Sequence, residues 1–195
     1  MLRTCDSQFA NCELRINPYI CAMRQHNGMR PQDIVVLLKI IALDNKPWQN
    51  KDLSWSLHIS SSEISECLNR NYIAGLIESQ KKKVSRQSLM EFLEHGLHYV
   101  FPVVPGPLTN GIPTAHSHPF MSEYFKSDEY YVWPDFEGRT RGSAIQPLYK
   151  ELAKSVKNDD MLYKLLALID VIRVGRAREL KVAVSELKKI ILHEP

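Results

Sequence analysis

From residue 30 onward, apolar side chains recur mostly at three- and four-residue intervals, the spacing of one helix face. Pro31 suits a first helical turn, and Ile34, Val35, Leu37, Leu38, Ile41 and Ala42 after it predict a largely buried helix that stops before Asp44-Asn45-Lys46-Pro47. Trp48 is expected to pin the following turn to the core. Leu53 with Leu57, and Ile64 with Leu68, predict two short helices that bury one face each. Ser85 opens a further helix through Leu89, Phe92 and Leu93, stopped by Gly96. The end of the chain is helical: Asp159 or Asn158 caps a run from Met161 to Ile172, Gly175 interrupts, and Leu180, Val184, Leu187 and Ile191 continue. Between these lie weaker signals. Residues 97–104 read as a strand, residues 105–122 as a long Pro/Gly-rich loop, and Tyr130–Trp133 with Thr140–Ile145 as a hairpin around Asp135–Gly138. Residues 1–29 carry no clear period and are expected to be mobile or loosely packed.

The segment Asn50–Ile77 holds the most specific pattern. Asn50 stands at an N-cap position, His58-Ile59 form a turn, and Ser60 precedes Glu63 by the three residues of a capping box. Gly75 can close the second helix in a left-handed conformation. Leu53, Leu57, Ile59, Ile64 and Leu68 form the set that two crossing helices bury. Ser61, Ser62, Ser65, Glu66, Asn69 and Arg70 are then left facing outward. Such a helix can enter the major groove of DNA, where serine, asparagine and arginine contact base edges or phosphates. Leu76-Ile77 and then Lys81-Lys82-Lys83-Val84 read as a short basic wing, whose lysines with Arg86 would hold phosphates.

This run resembles the winged helix-turn-helix of MarR-type bacterial transcriptional regulators, over roughly residues 30–90. The residues that carry the likeness are Leu53 and Leu57, Ser60, Ile64-Ser65, and Ala74-Gly75-Leu76-Ile77. Ser54, His58 and Asn71 depart from it, standing where alanine, glycine and leucine are usual, so Tyr72 or Ile73 is expected to supply the packing Asn71 lacks. The resemblance implies double-stranded DNA as ligand and a homodimer. The region after residue 90 does not look like the dimerisation helices of that family.

The expected fold class is therefore α+β: an N-terminal winged helix-turn-helix (residues 30–96) followed by a small α+β region (residues 97–195) ending in long helices. Those helices could form a dimer interface or close the protein's own core. Charge adds weak support. The net charge is +3, and residues 30–86 hold nine Lys/Arg against six Asp/Glu, while residues 87–195 hold 13 against 14. No apolar run approaches a membrane span and no secretory signal is visible, so a cytoplasmic protein is expected. Cys5, Cys12, Cys21 and Cys67 fit no zinc spacing and are expected as free thiols.

Other chemistry is thinner. His95, His98, His116 and His118 include a His-x-His pair but no third ligand at useful spacing, so no metal is expected. Neither a nucleophile elbow nor a phosphate-binding loop is present, and no cofactor or enzymatic activity is expected. Two guanidinium clusters, Arg139 with Arg141 and Arg173 with Arg176 and Arg178, could form an anion site for an effector or a protein partner. Alternatively they pair with Asp170, Glu137 and Glu179 at a junction. The leading expectation is a sequence-specific DNA-binding transcriptional regulator. The alternative is a protein-interaction adaptor, or the neutralising partner in a pair, that uses a winged helix without binding DNA.

Overall fold

The first helix has almost no polar face to give to water. In the computed structural model, which describes residues 28–44, 46–78 and 83–193, α1 (Pro31–Leu43) buries every residue from Asp33 to Leu38, and Ile40 and Ile41 as well. A helix covered on all sides has to be packed from more than one direction. On one side lie α2 (Asn50–Leu57) and α3 (Ser61–Ile73); on another lies α8 (Asp160–Val174), more than 100 residues further along the chain. Lys39 on α1 reaches Asp159, just before α8, at 2.6 Å.

Residues 28–44 and 46–78 follow the periodic reading closely. Leu53, Leu57, Ile64 and Leu68 are buried between α1, α2 and α3, and Trp48 is buried beside them. The cap of α2 shifts by one residue: Gln49 takes the N-cap position, its amide donating to the Asp52 carboxylate at 2.8 Å, and Asn50 is the first helical residue. His58 closes α2 in the left-handed region (φ 52°), and Ser60 Oγ accepts from the Glu63 amide at 3.3 Å. Gly75 (φ 73°) ends the next turn, where the Leu76 amide returns to the Asn71 carbonyl at 2.9 Å. Ile77 and Val84 then form an antiparallel bridge, flanked by bonds from the Glu78 amide to Lys83 O and the Ser85 amide to Leu76 O. α4 (Arg86–His95) follows.

The middle of the chain departs from expectation in three places. Residues 97–104 are not a strand. Gly96 keeps a right-handed conformation, so the chain runs on into α5 (Leu97–Val100), buries Leu97 and leaves Pro102 outside any ladder. Residues 105–122 are not a structureless loop: they form β1 (Leu108–Pro113), a 3-10 turn (Ala115–Ser117) and α6 (Pro119–Ser122). Gly111 makes β1 possible, because a Cβ there would fall on the Trp133 carbonyl of the next strand. Finally, β2 (Tyr131–Pro134) and β3 (Thr140–Ala144) are not a hairpin. Each pairs antiparallel with β1, and they meet each other only briefly and in parallel, which closes the three strands into a ring.

A short helical turn, α7 (Leu152–Ser155), leads to α8, and α9 (Ala177–Leu192) runs to the end of the described chain. The apolar face of α9, with Ala183, Leu187 and Ile191, is buried in the chain's own core against α8 and α4. The sheet is tied to α8 by Asp170, which has almost no exposed surface. Its carboxylate accepts from Thr114 Oγ1 (2.9 Å), Trp133 Nε1 (2.6 Å) and Arg173 Nη1 (2.6 Å). The molecule is thus mixed α+β. Among the described residues it has nine α-helices and one three-stranded sheet, and no helix long and apolar enough to cross a membrane.

Candidate nucleic-acid interface

The exposed side of α3 is built from the turn that precedes it. His58 in the left-handed region and the Ser60 cap fix the direction in which α3 leaves α2. Ile64, Cys67 and Leu68 then point into the core, and Ser61, Ser62, Ser65 and Glu66 are exposed. Ser60 and Ser62 hydroxyls lie 3.1 Å apart, and Asn50 Nδ2 donates to Ser65 Oγ at 3.4 Å, which joins the start of α2 to the same surface. Asn69 is half-buried at the margin of this face.

Arg70 does not face outward. It is buried, and its guanidinium forms a two-pronged pair with Asp33 on α1, Nε–Oδ2 2.8 Å and Nη2–Oδ1 2.7 Å. Nη2 also reaches Glu63 Oε1 at 2.7 Å. The bond from Asp33, ahead of the opposing effect of burial, holds the guanidinium above its usual pKa. Asn71 is fully buried too and donates to the Asp33 carbonyl at 3.1 Å, while Tyr72 and Ile73 stay exposed. The packing expected of Tyr72 or Ile73 is therefore replaced by a polar core. The reason is local. A buried Asp33 carboxylate requires a charged partner and further donors: Arg70 supplies the charge from the facing helix and the Arg30 amide a further bond at 2.8 Å, while Asn71 satisfies the Asp33 backbone carbonyl.

Glu63 belongs to the same network. It accepts from Gln32 Nε2 (2.7 Å) and from Arg30 Nη1 (3.3 Å). Burial works against its ionisation, but hydrogen bonds from Arg70 and Gln32 and the charges of Arg70 and Arg30 outweigh it and hold the carboxyl below the ordinary range. Of the two glutamates on α3, Glu63 is partly buried and paired, and Glu66 is exposed. Cys67 has a buried, free thiol, pushed far up in pKa chiefly by that burial, which argues against reactivity. Cys5, Cys12 and Cys21 lie outside the described residues.

Beside α3, the bridge of Ile77 with Val84 leaves Lys83 exposed. Lys81 and Lys82 lie outside the described residues. Arg86 is not a free cation on this edge: Nη1 donates to the Ile191 carbonyl at 2.8 Å and Nη2 lies 3.3 Å from Asp44. It fastens the start of α4 to the end of α9.

The two arginine clusters divide by burial. Arg173 is buried, donating to Asp170, to Phe101 O (3.0 Å) and to Gln146 O (3.0 Å), so it is an internal strut and not an anion ligand. Arg176 contacts Glu129 (3.0 Å) and Tyr131 Oη (2.5 Å), with Glu179 at 4.0 Å. Arg178 is exposed, over the Phe125 ring. Arg139 and Arg141 are exposed, and Arg141 lines a shallow cleft with Glu129 and Tyr130. Arg176 is thus already paired with a carboxylate, while Arg141 shares a cleft with Glu129. Glu137 pairs with Lys157.

The histidines of the 115–118 turn are buried, which their sequence setting among prolines does not signal. His116 Nε2 lies 2.7 Å from Glu129 O. His118 Nδ1 accepts from the Phe120 amide at 3.1 Å, and its pKa is lowered to about 4 by burial and then by Lys164. No cluster of three or more His, Cys, Asp or Glu that could hold a metal occurs among the described residues. Comparison of the chain with protein-family models, with curated proteins and with solved structures returns no match.

Proposed function

We propose that the protein is a sequence-specific regulator of transcription that binds double-stranded DNA through a winged helix-turn-helix, with α3 as the recognition helix. The observation that carries this reading is the exposed face of Ser61, Ser62, Ser65 and Glu66 on a helix whose other face is buried. Serine hydroxyls both donate and accept, and a glutamate can accept from the cytosine amino group in the major groove. The edge formed by Ile77 and Val84 supports a wing beside it, with Lys83 available for a phosphate. Arg70 is reassigned: it positions the recognition helix on α1 through Asp33 and does not read bases.

A homodimer would lay two copies of α3 into successive major grooves. The test is a mobility-shift titration on the duplex upstream of the chain's own gene and on an unrelated duplex, each at two salt concentrations. The reading requires tighter binding to the upstream duplex, and affinity that falls steeply with salt. Equal, negligible retardation of both duplexes overturns it.

The second reading, a protein-interaction adaptor, is favoured by apolar surface elsewhere. Tyr99, Val104 and Phe136 are each more than four-fifths exposed in the region after residue 96. A partner there would be found with the duplex absent, and alanine at these three positions would abolish its binding.

A further inference from the structure

Of the three tryptophans in the chain, Trp48 and Trp133 are buried, at 9% and 1% exposure, and Trp55 is 83% exposed. A large ring left in water on a short helix is unusual, and such a site commonly meets a partner. Lys51 lies four residues earlier on α2, so the two side chains share one face, opposite Leu53 and Leu57, which are buried. Lys51 is exposed. The carboxylate between them, Asp52, is turned back to the Gln49 amide at 2.8 Å. The stripe is continuous with the candidate recognition face, because Asn50, next to Lys51, donates to Ser65 on α3.

We infer that Lys51 and Trp55 form a second contact surface for the sugar–phosphate backbone of duplex DNA. This rests on the recognition-helix reading above. In that arrangement the first helix of the pair crosses the backbone flanking the groove. An ammonium group there neutralises a phosphate. An indole packs its face on deoxyribose and can donate its N–H to a phosphate oxygen. The contact is sequence-independent, so it adds affinity and register but no base preference.

Trp55 also provides the readout, since it is the one tryptophan among the three whose emission is open to solvent. The full chain is titrated with a mixed-sequence duplex at low salt. Tryptophan emission is followed, with anisotropy of the labelled duplex as an independent measure of binding. Binding is expected to quench or blue-shift the emission, and Trp55→Phe to remove that change. Trp55→Ala is expected to weaken binding several-fold. Lys51→Gln is expected to lower the slope of log affinity against log salt by about 0.9, while Lys126→Gln, an exposed lysine on a distant loop, leaves the slope unchanged. Binding by anisotropy with unchanged emission and an unchanged Lys51→Gln slope overturns the inference and leaves the recognition helix standing. An emission shift that depends on protein concentration without DNA also overturns it, because a second copy then covers Trp55. Absence of any binding by anisotropy removes both.

Discussion

Asp33 has no exposed surface, and Arg70 is its only charged partner within salt-bridge distance among the described residues. Removing one member strands the other charge in the core, which costs about 3–5 kcal/mol, or roughly 10 °C in melting temperature for a chain of this size. Arg70→Ala is therefore expected to lower thermal stability by that amount, seen by circular dichroism, and any DNA defect should follow from the loss of fold. A variant that melts like the wild type contradicts the positioning role. His118 offers a second test at this scale. Its neutral form is held in the folded protein down to about pH 4, whereas the unfolded chain takes up the proton near 6.5. Between those values the unfolded state binds more protons, so stability falls as pH drops from 6.5 toward 4. Asn in place of His118 keeps an acceptor for the Phe120 amide and does not titrate. It should flatten that part of the stability–pH curve; an unchanged curve would assign the acid sensitivity elsewhere.

Elements with strong periods and explicit punctuation were legible: α1 from its apolar run after Pro31, α3 from Ser60 and Gly75, α8 from Asp159 and Gly175. The three-stranded ring was not. Its strands are short, two of them carry glycines where backbones nearly touch, and its closing contact joins residues that no local pattern links. Gly111→Ala should therefore disrupt the β1–β2 pairing and lower stability by more than about 1 kcal/mol, whereas alanine for glycine at an unhindered site raises it slightly. Arg70 was misplaced for a related reason. Helical spacing puts it near the solvent boundary of α3, and only the burial of Asp33 on a different helix draws it inward. The signal available was Asp33 itself, a carboxylate at the head of an otherwise apolar run. On the opposite edge, Lys83→Gln should reduce the salt slope of DNA affinity by about 0.9 without changing stability.

At the scale of the whole molecule, the helices that carry the candidate interface lean on the later chain. Lys39 pairs with Asp159, Tyr149 Oη donates to the Leu57 carbonyl at 3.0 Å, Arg86 to the Ile191 carbonyl, and Lys188 pairs with Glu94 at 2.8 Å. Three of these contacts touch the ends of α2 and α4, so the chain from Tyr149 onward helps set how α3 is presented. A chain ended at His95 would expose one side of α1 and is expected to lose cooperative melting, while the full protein is expected to melt in a single transition. The serine face of α3 is exposed, and its own ties to the fold are two surface hydrogen bonds, Ser60 with Ser62 and Asn50 with Ser65. The most direct measurement is the affinity of the wild type and of the Ser62→Glu, Ser65→Glu double variant for the chain's own upstream duplex, with melting temperature recorded for both. Two added carboxylates in the groove should abolish specific binding and leave the melting temperature within a few degrees. Undiminished binding by the folded double variant would show that DNA, if bound at all, is met by some other surface.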